Sequence, residues 1–203
     1  MAAARCGGVQ RLGELACFVS QDAREDSAPH VVVVGASVAG ARLAQELRQR
    51  EFAGRVTVID ADRHHPYDKP PLSKGLLEGS TDMAGIDLLP EASVAGLALD
   101  LRLGTAAAGL DLRGREVILE DDERIAFDEL VIATGVRART APWTQVPGVR
   151  TLRTLDDALA VRDDLDGAEH LIVCGAGFIG SEAASAACRH GVAVTIIDPL
   201  EVP

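Results

Sequence analysis

The stretch that most constrains the fold runs from His30 to Gly40 and reads HVVVVGASVAG. Four consecutive valines are typical of a strand that is buried on both faces of a parallel sheet. Gly35 ends this strand at a tight turn, and Gly40 lets the next helix pack closely against the strand. The free N–H groups in the first turn of that helix, at Val38 and Ala39, favour an anion. The stretch therefore predicts a strand-turn-helix unit that binds phosphate.

A second strand and an acidic residue extend this unit. The helix is predicted over 41–50 and the next strand over 55–59, and Asp60 follows that strand directly. An acidic residue about twenty residues after the glycine turn is the usual hydrogen-bond acceptor for the ribose of a dinucleotide. Ser37 departs from the pattern, because a glycine there normally lets the pyrophosphate approach the backbone. Taken alone, the stretch also fits an ordinary strand-turn-helix.

A second and complete glycine pattern follows near the end of the chain, LIVCGAGFIGSEAASAACRHGVAVTIID. Its three glycines are Gly175, Gly177 and Gly180. A strand is predicted over 171–174 and a helix over 181–189, and Asp198 closes the next strand. Asp198 would accept hydrogen bonds from both ribose hydroxyls and repel a 2′-phosphate, which favours NADH over NADPH. The alternative is a structural acidic residue at the end of a strand.

The segment between the two patterns predicts an antiparallel insert. Short alternating stretches from Leu97 onward, separated by polar turns, are typical of a meander that does not belong to a parallel sheet. The last stretch, 129–133, returns to a continuous apolar run after Glu129 and is expected to lie beside the first strand. It ends in Thr134 and Gly135, where a glycine permits the backbone to approach a ligand closely.

Composition supports an α/β fold and excludes some partners. Aromatic residues make up only 3% of the chain, so the interior consists of small aliphatic residues, which suit parallel sheets covered by helices. The formal net charge of −11 argues against nucleic acid and against an anionic membrane surface. The cysteines and histidines show no spacing typical of a metal site, so no metal is expected. We predict a Rossmann-like parallel sheet with an antiparallel insert, followed by the start of a second Rossmann unit.

A proline pair precedes a lysine that could carry a directed charge. Pro70 and Pro71 hold the chain extended and set the first helical position, so a short helix is predicted to begin over 72–74. The side chain of Lys74 would then point in a fixed direction. From the residues alone, an ordinary surface lysine after a proline turn is the favoured interpretation of Lys74.

Five motifs in the chain together resemble one family. The motifs are GASVAG, PYDKPPLSKG, LVIATGVR, LRTLDDA and GAGFIGSE, in this order and at similar spacing. The chain resembles the FAD-dependent, NADH-oxidising reductases that supply ferredoxin or rubredoxin in oxygenase systems, to which apoptosis-inducing factor is related. The resemblance covers residues 30–203 and implies a flavoprotein oxidoreductase with FAD and NAD(H) as cofactors and a small iron-sulfur carrier as partner.

The resemblance also implies roles for individual residues. Those implied at the FAD site are Gly35, Ser37, Val38, Ala39, Gly40, Asp60, Asp62, Lys69, Lys74, Ala107, Thr134, Gly135 and Arg137. Those implied at the NAD(H) site are Gly175, Gly177, Phe178, Ile179, Gly180 and Asp198. Lys74 is expected beside the flavin ring, paired with Glu182, and these two are the catalytic candidates. A lysine held there stabilises the negative charge of the reduced flavin, and Glu182 keeps that lysine charged and oriented.

The expected domain organisation is an extension, an FAD-binding part and an incomplete NAD(H)-binding part. Residues 1–29 are expected to form a loosely ordered extension, 30–147 the first segment of the FAD domain, and 148–203 the NAD(H) domain. Because the family continues beyond this point, a truncated, non-catalytic nucleotide-binding remnant is one alternative, and a flavin reductase for a different acceptor is another. Exposed apolar sheet edges predict self-association at the C-terminal break. A cytoplasmic location is expected.

Overall fold

The computed structural model describes residues 17–20 and 28–200. The chain divides into two compact units, one formed by the chain up to Arg63 together with Ala92–Gly135, the other by His64–Glu91 together with the chain from Val136. The described strands are β1 (Cys17–Ser20), β2 (His30–Val34), β3 (Arg55–Asp60), β4 (Asp100–Leu103), β5 (Ala107–Asp111), β6 (Glu116–Leu119), β7 (Arg124–Ala126), β8 (Glu129–Ile132), β9 (His170–Cys174) and β10 (Ala193–Ile197). The α-helices are α1 (Val38–Gln49), α2 (Gly75–Glu78), α3 (Glu91–Gly96), α4 (Leu155–Leu165) and α5 (Phe178–Arg189), and 3-10 turns cover Pro70–Ser73, Ala84–Ile86 and Pro142–Gln145.

The first unit is built on a five-stranded sheet with the order β1-β8-β2-β3-β4. Strands β8, β2, β3 and β4 run parallel, and β1 pairs antiparallel with β8 at the edge. The central strand β2 consists of His30 and the four valines, and the first four of these residues are buried. Its burial confirms the sequence-based prediction of a strand at the centre of a parallel sheet.

Different layers cover the two faces of this sheet. On one face, alternate side chains of β2 and β3 pack with Ala44 of α1 in a cluster that includes Val31, Val33 and Val56. On the other face, Val32 and Ile59 pack with residues of the three-stranded antiparallel sheet β5-β6-β7. The antiparallel insert is therefore confirmed, and it covers the side of the sheet opposite α1.

The structure corrects one strand of the predicted meander. Strand β4 pairs parallel with β3, with Thr57 opposite Asp100, so it belongs to the main sheet rather than to the insert. The reason is tertiary: Leu101 and Leu103 pack against the cluster under α1, and residues 61–99 supply the crossover that a parallel pair needs. The alternating pattern of Leu and charged residues alone could not distinguish these two pairings.

The expectation of a loosely ordered extension over residues 1–29 is not met at Cys17–Ser20. These four residues form β1 along β8, with Phe18 opposite Val131. Phe and Val are residues that favour strands, and the edge of β8 offers unpaired backbone groups to them. The rest of the predicted extension, apart from residues 28 and 29, lies outside the described residues.

The second unit contains a two-stranded parallel sheet, β9 and β10, with α5 between them in the chain. Two apolar clusters hold it together. Tyr67 and Leu76 pack with Leu155 of α4 in one cluster. In the other, Leu77 packs with Ala186 and Ala187 of α5 and with Leu165.

Several boundaries differ by a few residues from the predictions. Helices α1 and α5 each begin three residues earlier than predicted, because both start directly after the middle residue of the glycine turn. The proline pair forms a 3-10 turn that ends at Ser73, and α2 begins only after Lys74. In the described residues no helix is long and apolar enough to cross a membrane.

Candidate functional site

The first glycine turn is shaped by close backbone contacts at the carboxyl end of β2. Gly35 has a φ of +107°, and its N–H donates to the carbonyl oxygen of Ile59 at 2.7 Å. A Cβ atom at Gly40 would lie 1.8 Å from the carbonyl oxygen of Gly35. Because such a contact is impossible, only glycine allows α1 to begin this close to the turn.

The second glycine turn has the same construction in the other unit. Gly175 has a φ of +113°, and its N–H donates to the carbonyl oxygen of Ile197 at 2.8 Å. A Cβ atom at Gly180 would lie 2.0 Å from the carbonyl oxygen of Gly175. The two predicted nucleotide motifs therefore fold into matching turns, although they share few residues besides the glycines.

The backbone conformation at the middle position of the pattern explains why the first turn accepts a serine there. Ser37 has φ −75° and ψ −161°, and Gly177 has φ −69° and ψ −179°. Both are extended conformations that any residue adopts, so a side chain at Ser37 causes no backbone strain. A Cβ atom at Gly177 would meet no described atom within 4 Å.

The first turns of α1 and α5 present backbone N–H groups next to the glycine turns. In the described part of the chain, no side chain caps the N-terminus of either helix. Val38 and Ala39 are exposed at the start of α1, and Phe178, which is 91% exposed, and Ile179 are exposed at the start of α5. Uncapped helix N-termini carry a partial positive charge and bind anions such as phosphate.

The acidic residues predicted to bind ribose are hydrogen-bonded to the glycine turns. The Asp60 carboxylate accepts from the N–H of Ala36 at 2.5 Å and from the N–H of Asp62 at 2.8 Å. The Asp198 carboxylate accepts from the N–H of Ala176 at 2.7 Å and from that of Leu200 at 2.9 Å. Of these bonds, the one from Ala176 contributes most to lowering the pKa of Asp198, followed by the one from Leu200. Asp198 is therefore a fixed negative charge next to the second glycine turn.

The Thr134-Gly135 turn lies beside the first glycine turn, as the sequence predicts. A Cβ atom at Gly35 would lie 2.3 Å from the carbonyl oxygen of Ala133 and 3.0 Å from the N atom of Thr134. Strand β8 runs next to β2 in parallel register, which brings its carboxyl end to this place. Thr134 and Gly135 are exposed, so the turn is accessible.

The remaining residues implied for FAD are distributed over both units. Ala107 begins β5 and is exposed in the first unit, and the carbonyl oxygen of Asp62 accepts from the N–H of Gly104 at 2.9 Å. In the second unit, Arg137 is exposed, and the Lys69 ammonium lies over the Tyr67 ring at 4.4 Å from its centroid. Their roles toward FAD stay predictions.

The two catalytic candidates form an ion pair in the second unit. The Nζ atom of Lys74 lies 3.1 Å from Oε1 of Glu182, which is in the second turn of α5. The Ser73 hydroxyl donates to Oε2 of the same carboxylate at 2.5 Å. The Ser73 bond, first, and the Lys74 ammonium, second, lower the pKa of Glu182.

Ser73 is the residue that the reasoning from sequence missed. It is the last residue of the 3-10 turn and only 6% exposed, whereas the lysine beside it has a 54% exposed side chain. No local pattern in the sequence marks Ser73 as buried, since its neighbour Leu72 is buried in the same turn. Among the described residues, no group of three or more His, Cys, Asp or Glu could hold a metal ion.

The fold and the two turns define a protein with two dinucleotide-binding units. A family model described as pyridine nucleotide-disulphide oxidoreductase matches residues 29–203. The chain belongs to this family, which confirms the resemblance found in the sequence.

Two named relatives and one crystal structure match most of this chain. The chain is 39% identical over 177 residues to the benzene 1,2-dioxygenase system ferredoxin–NAD(+) reductase subunit of Pseudomonas putida, covering 84% of this chain and 42% of the relative. It is 35% identical over 170 residues to the rubredoxin–NAD(+) reductase of Pseudomonas putida, covering 83% of this chain and 44% of the relative. The crystal structure of the covalent putidaredoxin reductase–putidaredoxin complex matches with a TM-score of 0.79 and 32% identity, covering 84% of this chain and 42% of that chain. The chain thus spans about two fifths of the length of these relatives.

Proposed function

We propose that this chain is a flavoprotein oxidoreductase that binds FAD at the first glycine turn and NADH at the second. The observation that carries the proposal is the match between the two turns. Each turn places a glycine with φ above +100° before an uncapped helix. In each, the N–H of the residue that follows this glycine donates to an aspartate carboxylate. A protein that binds one nucleotide needs only one such turn, so the pair indicates a reaction between two nucleotides.

The residues present fit both nucleotides. At each turn a glycine carbonyl lies against the first turn of the helix so closely that a Cβ would collide with it, and the exposed helix start leaves room for a pyrophosphate. FAD, when bound, accepts a hydride from NADH and can pass the electrons on one at a time. The protein binds and orients the nucleotides, and its charged pair of Lys74 and Glu182 stabilises the negative charge of the reduced flavin. The domain boundary at 147/148 and the individual binding roles predicted from sequence form part of this proposal.

The fixed charge of Asp198 supports NADH rather than NADPH as the donor. Its carboxylate is held by two backbone N–H groups at the carboxyl end of β10, where the ribose of the nucleotide is expected. The lowered pKa of Asp198 keeps it ionised, and an ionised carboxylate repels a 2′-phosphate. We expect Asp198→Ala to reduce the preference for NADH over NADPH.

The proposed acceptor is a small iron-sulfur protein of the ferredoxin or rubredoxin type. The support is that the relatives named above are ferredoxin and rubredoxin reductases. The proposal includes a cytoplasmic location, since the spacing of the cysteines shows no disulfide framework of a secreted protein.

An absorbance experiment tests the proposal. The purified chain is loaded with FAD, freed of excess flavin, and mixed with NADH without oxygen, while the visible absorbance of the flavin is followed. Bleaching by NADH, and slower bleaching by NADPH, is the expected result. Flavin that stays bound but does not bleach would indicate a nucleotide-binding remnant. Failure to retain any flavin would refute the proposed FAD site in this chain.

A further inference from the structure

We propose that Ser73 is a positioning residue, whose buried hydroxyl fixes the Glu182 carboxylate so that this carboxylate holds Lys74 in place. The proposal rests on the function proposed above, in which Lys74 and Glu182 form the charged pair that serves the nucleotides. Its geometry, however, lies entirely within the second unit and can be tested without either nucleotide.

The Glu182 carboxylate is shared between two successive residues of one motif. Its Oε2 atom accepts from the Ser73 hydroxyl at 2.5 Å, and its Oε1 atom lies 3.1 Å from Nζ of Lys74. A carboxylate with one partner can rotate about its terminal torsion, because that torsion is broad. With one partner on each oxygen, the plane of the carboxylate is set by both, and Oε1 faces the lysine.

Of the three groups, the Ser73 hydroxyl is the one with a rigid position. The 3-10 turn begins with Pro70 and Pro71, whose φ angles are restricted, and the side chain of Ser73 is buried at its end. The Lys74 side chain is 54% exposed, and that of Glu182 is 29% exposed. Exposed ion pairs fix geometry weakly, because water and side-chain entropy compete with them. We therefore infer that Ser73 orients Glu182, and Glu182 orients Lys74.

Further contacts along α5 keep the turn at a constant distance from the helix. Leu77 is fully buried in the cluster that contains Ala186 and Ala187. Glu78 forms a 2.9 Å ion pair with Arg189. Positions 182, 186 and 189 are spaced so that they lie on one face of α5. Ser73 thus lies at one end of a continuous packing interface between residues 73–78 and this helix.

The charge state of Glu182 agrees with this role. The hydrogen bond from Ser73 is the main cause of its lowered pKa, and the Lys74 ammonium is the second. The charged group that acts on Glu182 is Lys74 of the adjoining turn, so a titration of Glu182 reports on these two neighbours. Removing the hydroxyl is expected to remove the largest single cause of the lowered pKa of Glu182.

The test is a carbon-13 NMR titration of the Glu182 side chain in the nucleotide-free chain, with the resonance assigned by Glu182→Gln. We expect Ser73→Ala to raise the pKa of Glu182 toward that of an ordinary glutamate. Ser73→Cys keeps the buried space filled but offers only a weak donor, so it should raise the pKa in the same direction. Ser80→Ala is the matched control, because Ser80 is exposed and its hydroxyl donates to the carbonyl oxygen of Gly75. An unchanged pKa in both Ser73 variants would overturn the proposal.

A second measurement uses the FAD-loaded protein and separates this proposal from the proposed function. The rate of flavin reduction by saturating NADH should fall about threefold to tenfold in Ser73→Ala, the factor that corresponds to one hydrogen bond. The Kd for FAD should stay that of the wild type. A wild-type reduction rate in Ser73→Ala would overturn the positioning role. If the wild type itself is not reduced by NADH, the proposed function fails, and the titration alone decides on Ser73.

Discussion

Replacing the last glycine of each turn by alanine should remove one nucleotide site at a time. In Gly40→Ala the new Cβ would lie 1.8 Å from the carbonyl oxygen of Gly35, and in Gly180→Ala it would lie 2.0 Å from that of Gly175. Real Cβ contacts are essentially never below 3.0 Å, so the backbone must separate by at least 3.0 − 1.8 = 1.2 Å or 3.0 − 2.0 = 1.0 Å. The colliding atom belongs to the backbone in both cases and cannot rotate away.

The expected loss follows from the hydrogen bonds that such a shift breaks. Backbone N–H groups bind phosphate oxygens over about 2.7–3.2 Å, so a shift of about 1 Å takes them out of range. Two bonds to a charged group contribute about 3–6 kcal/mol, which is about a 10²- to 10⁴-fold increase in Kd. The overpacking itself should lower the free energy of unfolding by about 1–3 kcal/mol.

The assay is a pair of binding titrations, with flavin fluorescence for FAD and calorimetry for NADH. Gly40→Ala should lose FAD and keep NADH, and Gly180→Ala should show the reverse. Gly96→Ala is the matched control, since a Cβ there meets no described atom within 4 Å. Wild-type affinity for FAD in Gly40→Ala would refute the reasoning that close packing of α1 shapes the site.

Four further outcomes are expected. Gly177→Ser should leave the thermal midpoint unchanged, because its backbone matches that of Ser37; a large drop in a melting curve would contradict this. Arg48→Met should cost about 2 kcal/mol of unfolding free energy in urea, since its guanidinium donates to four backbone carbonyl oxygens at 2.5–3.1 Å. Burial is the main cause of the lowered pKa of His30, so the unfolded state binds more protons than the folded state just below pH 6.5. The free energy of unfolding should therefore fall in this range as pH decreases. Denaturant titrations at several pH values should show this dependence in the wild type and a flatter one in His30→Gln. Ile172, 59% exposed on β9, should promote self-association, so Ile172→Lys should lower the mass measured by light scattering; a monodisperse wild-type monomer would argue against it.

The parts of the fold that depend on local sequence could be predicted well. The valine run of β2 and the apolar residues 130–132 of β8 follow one another without a polar break, and such runs favour strands inside a sheet. The glycines at 35, 40, 175 and 180 were predictable because no other residue permits their φ angles or contacts. The pairing of Lys74 with Glu182 followed from the family resemblance rather than from the residues, and the structure brings the two side chains together.

Other features depended on contacts that no local pattern contains. Strand β4 has the alternation of a meander strand but joins the parallel sheet, because its leucines complete the core under α1. β1 forms because the edge of β8 offers backbone groups to residues more than a hundred positions away in the chain.

In the candidate site, too, some features follow from local sequence and others from tertiary contacts. Sequence by itself determined which residues can form the two glycine turns, since steric limits act within a few residues. Only the tertiary structure decided that Asp60 and Asp198 brace those turns and that Ser73 holds Glu182 across 109 positions of sequence. Hydrogen bonds of this kind depend on the distance between folded elements, which packing sets and local sequence does not.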